Sequence, residues 1–272
     1  MTDTPSLPPV FHDALPVAAW MDEKTRRLPG IQPLAPGDWL RVDEAFAGQM
    51  ALRDRLIATR REDVLALAEN SRPAAEELLE RVLSEIAAHH PGYVVEAETV
   101  RRPDGVEVAI DRRDPLATAG RLVQCDLCLL DNPGGGEHAL LGAVLCFPAS
   151  WTLREKFGRG LLSIHTPVPR YDADVAKRVQ RLFDAVRPEQ PLWRVNALSY
   201  GSAVLHHPRP EYAPRSAPGP ESYVRAERQC ILRLPATRAV VFSIHTYLLP
   251  RARLSEEQEA GLIAHPFHRF SA

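Results

Sequence analysis

The tetrapeptide Ser-Ile-His-Thr occurs twice, at residues 163–166 and 243–246. A histidine in an apolar stretch can ligate a metal, carry a proton or sit satisfied in a core. The first copy runs into Pro167-Val168-Pro169, the second into Tyr247-Leu248-Leu249. Prolines fix φ and stiffen a loop, which suits a side chain that must be aimed, so His165 is the better ligand candidate. His245 lies mid-strand in AVVFSIHTYLL, with Val241, Ser243 and Tyr247 of like parity and Phe242, Ile244 and Leu248 opposed. That alternation puts His245 on the less apolar face, as a sheet residue or a polar group behind a site. Cys125 and Cys128 have the spacing of a zinc-ligand pair, but RLVQCDLCLL reads as a strand, where positions three apart point to opposite faces. No second such pair completes a zinc site. Gly134-Gly135-Gly136 opens no helix and so is no nucleotide loop. His89-His90 reads as a polar helix end.

These residues need elements to hold them. Residues 43–60 and 61–89 carry apolar positions at helical spacing, with Ser71 and Pro73 as a cap and first turn. After residue 92 the period shortens. Residues 93–100 and 106–110 flank a Pro-Asp-Gly turn, and residues 121–130 and 139–147 flank the glycine-rich tip, as two hairpins. Ser150 is expected to cap a helix over 151–157, and a second helix starts at Asp172 or Asp174 and runs to about Val186. Strands over 192–200, 223–234 and 239–248 close the series. Three consecutive strands without intervening helices exclude a parallel α/β sheet. The chain is therefore expected to be α+β: a PAS-like antiparallel sheet with a helical crossover on one face, plus an N-terminal helical extension. The division expected is 1–91 for that extended and helical segment and 92–272 for the PAS-like domain.

The totals set bounds. The 272 residues suit one large domain or a core with an extension, and 45% hydrophobic with 25% charged residues is ordinary for a globular protein. A net charge of −2 gives no reason to expect nucleic acid or an anionic membrane as partner. No apolar run reaches the length of a membrane span, and the N-terminus lacks a signal-peptide pattern, so a cytoplasmic location with the four cysteines reduced is expected. The 25 prolines concentrate in 4–36 and 208–220, which read as irregular segments.

Several stretches together resemble the alpha subunit of the haem-dependent oxidative N-demethylase family: RLVQCDLCLL, LCFPASW, KFGRGLLSIHTPVP and ERQCILRLP followed by VVFSIHTYL. The resemblance spans about residues 90 to 250. It implies a PAS fold with b-type haem between crossover and sheet and His165 as the iron ligand. Lys156, Arg159 and Arg170 are then candidates to pair with the haem propionates. In strand 223–234, Arg228 shares a face with Val224, Ala226, Cys230 and Leu232, and is expected to point into the crossover pocket. A lone cation there needs an anion: a propionate, bound oxygen or a carboxylate such as Asp126. Glu227 points the other way, as a structural partner, and Asn196 is a further polar candidate. The resemblance departs at Ala197, where an aromatic is expected after Arg194-Val195-Asn196, and this bears on the shape of the distal pocket.

The activity so implied is O2-dependent demethylation of a small secondary amine such as dimethylamine. FMN, a [2Fe–2S] centre, NADPH and tetrahydrofolate would belong to partner subunits, since no dinucleotide motif or iron–sulfur cysteine spacing is present in this sequence. A partner reductase would supply electrons. A haem-based gas or redox sensor is the alternative reading, as is a PAS-like scaffold without haem.

Overall fold

The computed structural model describes residues 10–26, 29–132, 134–165, 173–213 and 222–266, with only the backbone at 165 and 173–176. Its strands are β1 (Gln32–Pro33), β2 (Leu65–Leu67), β3 (Val94–Val95), β4 (Thr99–Arg101), β5 (Glu107–Ala109), β6 (Asp126–Asp131), β7 (Ala139–Val144), β8 (Leu192–Tyr200), β9 (Tyr223–Arg233) and β10 (Val240–Pro250). The helices are α1 (Glu23–Arg26), α2 (Phe46–Thr59), α3 (Arg61–Val64), α4 (Arg72–His89), α5 (Pro115–Leu122), α6 (Leu153–Lys156), α7 (Leu161–His165), α8 (Ala173–Ala185) and α9 (Glu256–Ala264).

Seven strands form one sheet in the order β1-β8-β9-β10-β6-β7-β2, with every pairing antiparallel. The strands β3, β4 and β5 make a separate small sheet. The fold is α+β. Alternation along the long central strands sends side chains to both faces, and both are covered. On one face Leu78, Leu79, Val82 and Ile86 of α4 and Leu116 and Leu122 of α5 join a core with Leu127, Leu129, Leu232 and Val241. On the other, Leu153, Leu161, Phe183 and Val186 from α6 to α8 pack against Cys128, Leu130, Ile231 and Ile244. Burying a side chain of that size is worth about 1.5–3 kcal/mol, which fixes the register of both faces at once. Cys125 and Cys128 fall into different clusters, on opposite faces as their spacing requires, and all four cysteines are free.

Several local expectations are corrected. The N-terminal segment does not lie wholly outside the sheet. It supplies both edge strands, with Gln32 opposite Trp193 and Leu65 opposite Val144. Of the run over 61–68, only Arg61–Val64 is helical, and Leu65–Leu67 pair as β2. The strand expected from Arg121 begins at Asp126, because Pro115 starts the helix α5 that ends at Leu122. Gly120 permits this, since a Cβ there would collide with Val144 on β7. Thr152, not Ser150, caps α6, its hydroxyl accepting from the Glu155 amide at 3.4 Å. Ser71 makes no capping bond, and the start of α4 rests on Pro73. Among the described residues no helix is long and apolar enough to cross a membrane.

Candidate functional site

The crossover face is set by strand pairing. Arg194 stands opposite Gln229 and Asn196 opposite Glu227, while Ile244 and Thr246 of β10 face the same two β9 residues. Antiparallel partners share a face, so Arg194, Asn196, Glu227, Gln229 and Thr246 form a polar patch beside the apolar Ile231, Phe242 and Ile244. The helices α6, α7 and α8 cover that apolar part.

Much of the patch is tied down. Glu227 accepts from Arg225 Nε at 3.3 Å and from Gln229 Nε2 at 3.2 Å. Arg225, buried, also donates to the carbonyls of Leu205, at 3.0 Å, and Phe147, and lies over the Tyr200 ring. Arg194 differs. Its Nε is sealed from solvent with no hydrogen-bond partner, and it forms no ion pair among the described residues. Burial pulls its pKa down from the ordinary guanidinium range, only partly offset by the Glu227 charge. Thr246 Oγ1 is likewise buried and unpartnered. Two guanidiniums against one carboxylate leave this patch one positive charge in excess, which suits an anion.

The helix α7, which ends at His165, packs on this face through Leu161 and Ile164. The His165 side chain and Arg170 lie outside the described residues. Lys156 is buried: its Nζ donates to the Ile164 carbonyl at 2.6 Å and pairs with Glu211. A buried ammonium needs such an immediate counter-ion. Arg159 is half-exposed, 3.6 Å from the same Glu211 carboxylate. Asn196 is partly buried on the crossover face and makes no side-chain hydrogen bond among the described residues. Ala197 is buried on the opposite face with Val195, Val224 and Tyr247, so the departure there does not shape a pocket under the crossover.

Arg228 also faces away from the crossover. Its parity with Val224, Ala226 and Cys230 is as expected, but that face meets the N-terminal segment. The guanidinium donates to the Asp38 carbonyl at 2.6 Å, the Asp38 carboxylate at 2.9 Å and the Trp39 carbonyl at 3.1 Å, and lies over Trp193. Asp126 is not its partner. Arg53 takes that carboxylate at 2.5 Å, together with the amides of Cys146 and Phe147.

Ser243 and His245 of the second Ser-Ile-His-Thr copy lie on this same inner face. His245 Nε2 is 2.8 Å and His12 Nε2 3.0 Å from one oxygen of Asp43, whose other oxygen accepts from Gln124 Nε2 at 2.7 Å and the Ala45 amide at 3.1 Å. Burial would raise the Asp43 carboxyl, but the two imidazoles outweigh it and hold it far below the usual carboxylate range. Burial in turn pushes His245 below its ordinary 6.5 despite Asp43. The three side chains bring ligand atoms within 4.8 Å of one another, as a metal site would. The tautomer argues otherwise. The Leu248 amide donates to His12 Nδ1 at 3.1 Å, so the ring proton sits on Nε2 and points at Asp43. A metal on that nitrogen would require the proton on Nδ1, against the amide. The cluster is a carboxylate held by four donors. Sequence reasoning missed His12 and Asp43, 202 residues from His245 in the case of Asp43. The usable signal was that a histidine in a buried strand needs a partner.

The match to known proteins agrees with the quoted motifs. Residues 30–268 match the family model described as haem-dependent oxidative N-demethylase, alpha subunit-like, and the chain belongs to that family.

Proposed function

We propose that this chain is the haem-bearing subunit of an oxidative N-demethylase, with b-type haem between the α6–α8 crossover and a PAS-like sheet and His165 as the axial ligand. The observation that carries the reading is Arg194: a cation with a sealed, unpartnered Nε on the face that the His165 helix covers. A propionate is an anion of the right kind for it. Arg159 and Arg170 remain candidates for the second propionate, at the rim. Haem, when bound, supplies an iron that takes O2 and accepts electrons.

The remaining work falls to side chains. A small secondary amine such as dimethylamine is a cation at neutral pH and must lose a proton before its nitrogen can share electrons. Glu227 is the carboxylate on this face that can receive it, held in place by Arg225 and Gln229. Asn196 and Thr246 offer neutral polar atoms beside it. Arg228 has no direct part, being turned to the other face. The balance is one dimethylamine, one O2, two electrons and two protons giving methylamine, formaldehyde and water. The electrons come from NADPH through FMN and a [2Fe–2S] centre on a partner reductase, with tetrahydrofolate as acceptor of the carbon unit. The setting is cytoplasmic.

The test is to reconstitute the purified protein with haem and record its spectrum with and without amine. The expected result is a Soret band that shifts on adding dimethylamine, and formaldehyde release under a chemical electron donor. A haem spectrum without amine response or formaldehyde would favour a gas or redox sensor. Failure to bind haem would overturn the reading.

A further inference from the structure

We propose that Glu137 and the Lys156–Glu211 pair form a two-ended clamp that sets the aim of His165. The inference rests on the reading that His165 ligates the iron. The helix α7 has five residues, far below the length at which a helix is stable alone, so its orientation must come from what grips it.

Each end is gripped by a charge of the fitting kind. At the start, the Glu137 carboxylate accepts from the Leu162 amide, and the Leu161 amide donates to the His138 carbonyl at 3.0 Å. Gly160 leaves room for this, since any Cβ there would collide with the Glu137 carboxylate. At the end, Lys156 Nζ donates to the Ile164 carbonyl, the peptide that joins directly to His165. An ammonium buried in this position needs a counter-ion, and Glu211 provides it. The Lys156 hydrogen bond in turn holds the Glu211 carboxyl below its ordinary range.

The clamp reaches further. The Glu211 amide donates to both oxygens of the Glu155 carboxylate, at 3.1 and 3.3 Å, and Glu155 also accepts from the Thr152 hydroxyl at 2.5 Å. The end of α7, the whole of α6 and the segment around Glu211 are thus one hydrogen-bonded unit. Rotation of the Ile164–His165 peptide would break the Lys156 bond and leave that ammonium half-paired. Lys156 and Glu137 are positioning residues in this scheme: they touch the backbone that carries the ligand, not the haem.

The experiment compares haem-loaded wild type with Lys156→Met, Lys156→Arg, Glu137→Gln and His165→Ala. The readouts are the ferric spectrum, the reduction potential and the rate of haem transfer to an apoglobin acceptor. Groups that orient a metal ligand change affinity by about 10–100-fold when removed. Lys156→Met is expected to lose haem about tenfold faster than wild type, with mixed axial ligation in its spectrum, and Lys156→Arg to restore most of both. Glu137 is exposed, so Glu137→Gln is a variant that folds and should show a smaller change of the same sign. A lowered melting temperature with the wild-type spectrum, potential and transfer rate in both Lys156→Met and Glu137→Gln would overturn the clamp while leaving the haem reading standing. A wild type without haem, or a His165→Ala with the wild-type spectrum, would overturn both.

Discussion

The two faces of the main sheet carry similar residues in opposite conditions. On the face towards the N-terminal helices, Arg228 has Asp38 and two carbonyls, and Asp43 has four donors. Single atoms there lack partners too, such as Arg53 Nη2 and His245 Nδ1, but each of those side chains has a carboxylate. On the crossover face, Arg194 keeps a buried donor with no acceptor and forms no ion pair among the described residues. Both arginines sit on long central strands, and sequence alternation alone ranks Arg228 as the more unusual. The difference teaches that a buried charge marks a ligand site only where the protein has left it unanswered. The two Ser-Ile-His-Thr copies divide the same way. His245 is locked onto a carboxylate, whereas His165 ends a short helix whose backbone is held at both ends.

The largest expected effect separates those copies. His165→Ala should abolish stable haem binding, and His245→Ala should retain the axial ligand and the Soret band. The measurement is haem titration followed by absorbance on both variants. The reverse outcome would exchange the roles of the two faces.

Next in size is the inner face itself. Removing Asp43 leaves His12, His245 and Gln124 without their common acceptor, and removing Arg228 leaves the Asp38 and Trp39 carbonyls without their donor, although Arg41 still pairs with the Asp38 carboxylate. Asp43→Ala is expected to cost about 3 kcal/mol, the scale for breaking a buried pair, and Arg228→Met somewhat less. Arg194→Met should behave oppositely in the haem-free protein, gaining about 1 kcal/mol because an unanswered cation is replaced by an apolar chain. The same variant should bind haem more weakly. Urea unfolding of the haem-free proteins measures all three. A loss of stability in Arg194→Met matching that of Arg228→Met would mean that the crossover face is as closed as the other.

Much of this was legible before any coordinates. The long strands over 192–200, 223–234 and 239–248, the antiparallel pairing and the helices over 72–89 and 173–185 follow from period and length. Parity correctly grouped Arg228 with Val224 and Cys230. It could not say which layer would cover that face, because both faces are apolar enough to be buried and the choice depends on packing between distant segments. This is why alternation alone places Arg228 on the crossover side and gives no reason to single out Arg194. Lys156 illustrates a second limit. A basic residue near a ligand looks like a cofactor contact in sequence, whereas its partners, Ile164 and Glu211, are set by how the chain folds back. His12 lies in a proline-rich stretch without period, so nothing local announced that its imidazole is buried.

The smallest effect concerns acid. His245 has a folded pKa below its unfolded 6.5, because burial penalises the charged ring more than Asp43 favours it. A group depressed on folding contributes its stability above the unfolded pKa and loses it as pH falls towards the folded one. Asp43 is also depressed, from 3.8, so its contribution is lost only in stronger acid. The groups around His245 are Asp43, His12, Arg228 and Tyr247, and of these the Asp43 charge alone opposes the loss. The urea midpoint should therefore be level above about pH 6.5, decline as pH falls below that, and steepen below about 4. His90, His138 and His207 are depressed by burial as well and contribute to the first decline. His245→Gln keeps a donor for Asp43 but cannot titrate. It should flatten the decline that begins below about pH 6.5 and leave the steep part below about 4 in place. Equal slopes in wild type and His245→Gln would show that the ring takes up its proton as readily in the folded protein as in the unfolded chain, and that the inner face is less closed than its hydrogen bonds indicate.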